Sequence, residues 1–330
     1  MKLNCKRTFY TTHHTPLRVN PEEKRVKRFR WLVVCLMFLS ACAPAAPQLV
    51  AGYVDLSQRE LLPTPVDSQI TPLRVAVAAV ISPQGTVDSY RALLDYLSKH
   101  LERPVELVQR RTYLEINDLV ERGEVDLAFV CTSAYVAGHD QFGMELLAAP
   151  QVDGETVYYS LLIVPAVSPV QGMQDLRGKV FAFTDPISLS GRMYPTSLVQ
   201  GLGSTPERFF ANTFFTYSHD EAIQAVANGL ADGAAVDSLV YDFALARDPS
   251  LAQKTRVIHR SPPFGIPPVV VGPKVRPQVK AELQNLLLGM ADDPQGQAAL
   301  KAIGAEKFVI LDDSAYNDVR TLLSDINQTR

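Results

Sequence analysis

The chain has 330 residues, more than a single hydrophobic core usually organises and suited to two domains of about 100–150 residues each. Its composition, 47% hydrophobic and 20% charged, is that of a globular protein and excludes both a disordered chain and one embedded throughout in a bilayer. Of its 32 Lys and Arg and 35 Asp and Glu, residues 1–41 hold nine and two; the remainder carries 23 against 33, a formal net of −10 that repels nucleic acid.

The first 41 residues stand apart. A basic flank, "KRVKRFR" (24–30), leads into the apolar "WLVVCLMFLSA" (31–41), and small residues follow. That order describes a secretory signal, since a permanent span needs about 20 apolar residues. The stretch ahead of it is long and leaves the start codon open, Val26 being one candidate. "LSAC" (39–42) resembles the lipobox of bacterial lipoproteins, which makes Cys42 the expected lipidation site and 1–41 the expected signal peptide. The competing reading is a signal-peptide cysteine with cleavage after Ala43 or Ala45. Export and anchoring place the protein outside the cytoplasm on a cell membrane, on the periplasmic side in a Gram-negative envelope. Residues 42–70 mix Pro, Ala and polar residues without a sustained period and read as anchor and flexible tether. With Cys5 and Cys35 removed and Cys42 acylated, Cys131 has no partner; no disulfide framework or CxxC metal knuckle can form, and Cys131 reads as a buried, inert thiol.

From "LRVAVAAV" (73–80) short apolar runs alternate with amphipathic segments. "VDSYRALLDYLSKHL" (87–101) puts Tyr90, Leu93, Leu94, Leu97 and Leu101 on one helical stripe, and "VELVQ" follows as a strand, the order of βαβ units and a largely parallel sheet. Two segments repeat one device. "INDLVERGEVDLAFV" (116–130) and "IQAVANGLADGAAV" (223–236) each run helix, glycine, two residues, aspartate, strand. Gly123 and Gly229 fit the left-handed position that closes a helix, and Asp126 and Asp232 open the strand. A recurrence about a hundred residues apart predicts two similar α/β lobes. Two further apolar segments, "TVYYSLLIVPAVSPV" (156–170) and "PPVVVGP" (267–273), are candidates for the strands that leave and re-enter a lobe at a hinge. The expected division is 71–164 plus 270–330 for the first lobe and 165–269 for the second. "VKAELQNLLLGMADDPQGQAALKAIG" reads as two helices packing back on the first.

Candidate chemistry gathers at strand ends. In "VFAFTDPISLSGRMYPTSLVQGL" a strand meets a helix through a loop with more hydroxyls than a cap needs. Ser190 is placed to cap, which leaves Ser188 over, and the amides near Gly191 and Arg192 make an anion site as plausible as a plain cap with a local turn. Thr132 and Ser133 offer a second hydroxyl-bearing helix start, also a routine capping pair. No GxSxG, P-loop or HExxH occurs, and no catalytic set is apparent. Metal binding by Tyr158, Tyr159 and His219 lacks clustered carboxylates, and neither metal nor cofactor is expected.

In this order, "VERGEVDLAFVCTSAYV", "FTDPISLSGRMYP", "YSHDEAIQAVANGLADGAAVDSLVYD" and "RVIHRSPPFGIPPVVVG" resemble the PhnD-like phosphonate, phosphite and phosphate binding proteins of ABC importers. The resemblance covers about residues 72–320. It implies an α/β, two-lobed type II periplasmic binding protein fold with two crossing hinge strands and a ligand between the lobes. It also implies that the loop of Ser188, Leu189, Ser190 and Gly191 wraps phosphoryl oxygens. The family's loop is Ser-Thr-Ser-Gly, so Leu189 removes one hydroxyl, with Arg192 or a backbone amide as the replacement. His219, Tyr113 and Tyr158 match the family's other ligand-facing positions, with Thr132 and Ser133 opposite. Where aminoalkylphosphonate binders carry acidic residues this chain has Leu239 and Pro267; Asp237, two residues earlier, is the nearest compensation.

The expected function is therefore a lipoprotein that captures phosphate, phosphite or a short alkylphosphonate, in preference to 2-aminoethylphosphonate, without breaking a bond in it. The expected partner is an ABC permease, with a membrane sensor kinase as the alternative, and a monomer is expected. Two further classes stay open: an enzyme on the same fold using His219 as acid or base, and a scaffold that no longer binds ligand.

Overall fold

The computed structural model describes residues 71–328; the expectations for the signal segment 1–41, for Cys42 and for the tether 42–70 lie outside the described residues. The first apolar run forms β1 (Leu73–Val77), and the alternation of its side chains decides what covers it. Leu73, Val75 and Val77 face one apolar cluster with Leu93 and Leu97 of helix α1 (Pro83–His100), while Ala76 faces a second cluster on the other side of the sheet. Burial on both faces is what a parallel sheet requires, and it explains a run with no polar alternation.

The first sheet has six strands. Parallel to β1 lie β2 (Val105–Gln109), with Leu73 opposite Val105, and β3 (Leu127–Phe129), with Val75 opposite Leu127. Helix α2 (Tyr113–Arg122) connects β2 to β3, and α3 (Thr132–Phe142) leads to β4 (Glu145–Gln151). The second sheet has five strands, in which β7 (Val180–Phe183) is flanked in parallel by β8 (Asn212–Phe215) and β9 (Gly233–Asp237). Next to β9 lies antiparallel β6 (Ser160–Pro165), and β10 (Thr255–Arg260) closes the edge. Its helices include α4 (Tyr194–Gly201), α5 (His219–Ala227) and α6 (Ser238–Arg247).

The repeated glycine–aspartate device has the same structural role in both sheets. Gly123 and Gly229 both sit at φ +71°, where a β-carbon is disfavoured. Beyond them Asp126 Oδ2 accepts from the Arg74 amide at 2.8 Å, and the Asp126 amide donates to the Arg74 carbonyl at 2.8 Å. Asp232 does the same with Val180, at 2.8 and 2.9 Å. Each aspartate thus fixes the entry of the neighbouring parallel strand, and both lobes are built around one such clasp.

The hinge lies earlier than the sequence suggests. Val157–Tyr158 (β5) pairs antiparallel with Phe264–Gly265 (β11), and Ser160–Pro165 already belongs to the second sheet, so the crossing precedes residue 160 rather than following 164. The physical reason is that β5 and β6 form one unbroken apolar run; burial in two different sheets leaves the same composition. The chain returns through β12 (Val269–Val271), which is inserted between β3 and β4. Helix α7 (Pro277–Leu288) packs on β4 and β13 (Lys307–Val309), and α8 (Pro294–Ala302) packs on α1, as expected for helices returning to the first lobe. The last helix, α9 (Asn317–Gln328), touches α3 in one lobe and α4 in the other, and Gln200 Nε2 donates to the Ile326 carbonyl at 3.1 Å.

Asp126→Ala and Asp232→Ala should each lower stability by about 1–3 kcal/mol, because each removes a charged acceptor from a strand-initiating amide. Chemical denaturation measures this, and an unchanged midpoint in either variant would show that the clasp is ornamental.

Candidate functional site

The carboxyl ends of β3, β7, β8 and β9 converge on the cleft between the lobes, the position where ligands bind in open α/β sheets. The loop after β7 carries the surplus hydroxyls. Ser188 Oγ accepts from the Gly191 amide at 3.1 Å, and the Ser188 carbonyl accepts from both Arg192 and Met193 amides at 3.0 and 2.9 Å. The resulting turn is one residue wider than an α-helical turn and continues into α4.

Ser188 is therefore the cap and Ser190 the surplus, the reverse of the sequence expectation, because the wide turn starts the helix two residues sooner. Ser190 Oγ is buried with no hydrogen-bond partner, while its carbonyl accepts from Ser160 Oγ at 2.7 Å. Gly191 is fixed by packing: a β-carbon there would lie 1.8 Å from Thr184 Oγ1. Leu189 is fully buried in the apolar cluster of Tyr113, Cys131 and Tyr135, so its side chain joins the lobes together. Arg192 does not replace the missing hydroxyl. Its guanidinium lies over the Phe183 ring, 4.2 Å from the centroid, and reaches Glu207 at 3.4 Å.

His219 opens α5 and is 1% exposed. Its Nδ1 accepts from the Asp237 amide at 3.0 Å, which places the ring proton on Nε2, 3.5 Å from Ser188 Oγ. Burial lowers its pKa to about 3, so the imidazole is neutral and its Nε2–H is a donor. A histidine in this tautomer cannot take a proton from Ser188, and the pair is not a nucleophile with its base.

From the first lobe, Tyr113 opens α2 and Tyr158 lies on the hinge strand β5. Both are buried, both hydroxyls lack a partner, and burial pushes both pKa values well above the ordinary phenol, which keeps them as O–H donors. Thr132 and Ser133 are committed to the protein. Thr132 Oγ1 donates to the Gly265 carbonyl at 2.8 Å, and Ser133 Oγ donates across the cleft to the Ile187 carbonyl. Cys131, which precedes α3, makes no side-chain cap, so the first-turn amides of α3 have no side-chain acceptor from it. Burial raises the Cys131 pKa, consistent with an inert thiol.

Other bonds that draw the lobes together went unnoticed in the sequence. Asp185 Oδ2 accepts from the Tyr113 amide at 3.0 Å, the His219 amide donates to the Val80 carbonyl at 2.9 Å, and Asp220 Oδ1 accepts from the Ser82 amide at 2.9 Å. Asp185 and Asp220 look like ordinary turn and cap residues, and only the facing lobe reveals their second role.

Asp237, 3% exposed, ends β9 and caps α6: Oδ1 accepts from the Leu239 and Val240 amides at 2.7 and 3.4 Å. Burial raises its pKa to about 7. For metal, no group of three or more His, Cys, Asp or Glu is close enough to hold an ion among the described residues. Tyr159, proposed beside Tyr158 and His219, lies under the Arg260 guanidinium, 3.6 Å from ring centroid to carbon.

Two lobes joined by a crossing strand pair, with buried neutral donors facing one another across the cleft, define a type II periplasmic binding protein. The comparisons agree. A family model described as the ABC transporter, phosphonate, periplasmic substrate-binding protein matches residues 75–316. The chain belongs to this family of periplasmic substrate-binding proteins of phosphonate ABC transporters. The phosphate-import protein PhnD of Mycolicibacterium smegmatis is 36% identical over 163 residues, 46% of this chain and 51% of that protein, so the match spans about half of its length. The phosphonates-binding periplasmic protein of Escherichia coli is 24% identical over 79% of each chain. Among solved structures, a binding protein component of an ABC phosphonate transporter from Pseudomonas aeruginosa has a TM-score of 0.74 at 23% identity, covering 78% of this chain and 87% of that one. PhnD1 of Prochlorococcus marinus in complex with methylphosphonate has a TM-score of 0.69 at 19% identity, covering 77% and 98%. These two likenesses establish the fold. No helix among the described residues is long and apolar enough to cross a membrane.

The two buried groups give stability opposite pH slopes. His219, with a folded pKa near 3 against 6.5, costs stability as pH falls from about 6.5 toward 3. Asp237, near 7 against 3.8, costs stability as pH rises from about 4 to 7. Asp237→Asn keeps a capping oxygen and removes the second slope. Its melting temperature should therefore climb more steeply than the parent's between pH 4 and 6.5; equal slopes would mean that Asp237 is ionised in the fold.

Proposed function

We propose that the protein is a lipid-anchored, extracytoplasmic solute-binding subunit that captures a small phosphorus oxyanion, namely phosphate, phosphite or a short alkylphosphonate, between its lobes and presents it to an ABC permease. The observation that carries this reading is the set of buried hydroxyls without partners, Tyr113, Tyr158 and Ser190, around the loop that Ser188 and Gly191 shape. Orphaned buried hydroxyls are costly, and an anion that accepts from all of them removes the cost. The neutral His219 adds an Nε2–H donor without bringing a fixed charge.

Hydrogen bonds to a charged group contribute about 1.5–3 kcal/mol each, so four or five suffice for micromolar binding after ordering costs. The names of the relatives support the chemistry: one is a phosphate importer, one a phosphonate binder, and one solved neighbour holds methylphosphonate. The tautomer of His219 supports capture without turnover. The apolar Leu239 and Pro267, where aminoalkylphosphonate binders are acidic, support an uncharged ligand end. Cys42 following its apolar segment supports the anchor, which metabolic labelling with a clickable fatty acid would detect and Cys42→Ala would abolish.

Calorimetry with phosphate, phosphite and methylphosphonate tests the site. Ser190→Ala should weaken binding by about tenfold or more with little change in melting temperature, since its hydroxyl has no bond to lose. Ser188→Ala should also lower stability by about 1 kcal/mol through the lost cap. If none of the three anions binds below millimolar, or if Ser190→Ala binds as well as the parent, the reading fails.

A further inference from the structure

Two residues outside the hydroxyl cradle meet across the cleft. The Arg111 guanidinium lies over the Tyr217 ring, 3.9 Å from its centroid, the one cation–π contact between the lobes among the described residues. Arg111 follows β2 and Tyr217 follows β8. These are the outer strands of their sheets, whereas the crossing segments join β4 to β6 and β10 to β12. The pair therefore lies on the rim opposite the hinge, where rotation about the crossing strands produces the largest displacement. Each residue also stands two positions ahead of a cradle donor, Tyr113 or His219, so the contact draws together the segments that carry those donors.

The backbone bears a cost at this point. Tyr217 sits at φ +62°, a left-handed conformation that a bulky side chain rarely adopts; apart from glycines, Glu102 and Asp153 alone share it among the described residues. Its amide donates to the Thr184 carbonyl at 2.8 Å, and its ring is backed by Phe215, 6.0 Å away between centroids, which packs on Phe183 at 5.8 Å. Arg111 is exposed, and among the described residues its guanidinium has no carboxylate partner or hydrogen-bond acceptor, so the ring is what holds it. Asparagine or glycine would take this backbone conformation at less cost; tyrosine presents a π-face to the other lobe.

Resting on the reading of the cleft as a phosphorus oxyanion site, we propose that Arg111 and Tyr217 form a latch that sets how long the captured anion is retained. Both are positioning residues, and neither needs to touch the ligand. The stacking is made with the lobes together and lost when the rim parts, so it stabilises the closed arrangement and slows the opening that precedes release. Its removal acts on the release rate and leaves association nearly unchanged.

Phosphorus NMR exchange spectroscopy of methylphosphonate with the protein gives both rates and tests the latch. Arg111→Gln and Tyr217→Asn should each speed release about threefold to tenfold, with association changed less than about twofold. The double variant should release no faster than the faster single one, because both remove the same contact. Tyr217→Phe keeps the ring and should release like the parent. Arg111→Gln alters an exposed side chain and should melt with the parent while releasing faster, a split that a merely structural contact would not give; it carries the test should Tyr217→Asn not fold. The proposal is overturned if Arg111→Gln slows association and leaves release unchanged, which would make it a steering charge, if Tyr217→Phe releases as fast as Tyr217→Asn, or if the two single effects multiply in the double variant. Failure of the parent to bind methylphosphonate would instead overturn the oxyanion reading. The latch is then decided by small-angle X-ray scattering of the unliganded protein: Arg111→Gln should have the larger radius of gyration, and equal radii overturn the latch.

Discussion

The bond from the Asp237 amide to His219 Nδ1 is the constraint around which the cleft is arranged. It joins the end of β9 to the start of α5, and it dictates that the histidine keeps its proton on Nε2. From that one choice the imidazole becomes a donor facing Ser188 and the loop after β7 keeps its hydroxyls free of a base; independently of the ring, the His219 amide reaches the Val80 carbonyl in the other lobe. A histidine with the opposite tautomer would leave the Asp237 amide unsatisfied in a buried place, which is expensive. The protonation of the histidine therefore depends on a single backbone donor.

Among the described residues the lobes are held by few polar contacts: Asp185 to Tyr113, Ser133 to Ile187, Asp220 to Ser82, His219 to Val80 and Gln200 to Ile326. Most of these place a side chain of one lobe on backbone of the other, and Asp185 and Asp220 double as ordinary elements of their own turns and caps. Net contributions of such bonds are modest, about 0.5–1.5 kcal/mol each, and Leu189 adds an apolar contact to the first lobe's core. On the proposed function, a ligand that satisfies hydroxyls from both sides would favour the arrangement in which the lobes meet, to the extent that it binds that arrangement better. The missing hydroxyl at Leu189 fits this division of labour. What the loop loses in donors it gains in contact between the lobes.

Much of this was legible in the sequence where a residue's role is local. Gly123 with Asp126 and Gly229 with Asp232 announce helix end and strand entry because a left-handed glycine and a strand-initiating carboxylate need only their immediate neighbours. His219, Tyr113 and Tyr158 were found through a family resemblance rather than through chemistry, since isolated aromatic and imidazole side chains carry no spacing signal. The order of the serines was misjudged because a wide turn moves the helix start by two residues without changing composition. The hinge was misplaced because β5 and β6 read as one apolar run. Arg192 looked like a replacement donor, yet Phe183 and Glu207, one nine residues back at the end of a strand and the other in a short distant helix, claim its guanidinium. Contacts of that kind exist only once the chain has folded.

A crystal structure of the protein with methylphosphonate tests the central claim most directly. The account predicts phosphonate oxygens within hydrogen-bonding distance of the Tyr113, Tyr158 and Ser190 hydroxyls and of His219 Nε2, with the Asp237 amide still bonded to Nδ1. An anion bound elsewhere on the protein, or a cleft whose orphaned hydroxyls are satisfied by water while the ligand stays in solution, would contradict it.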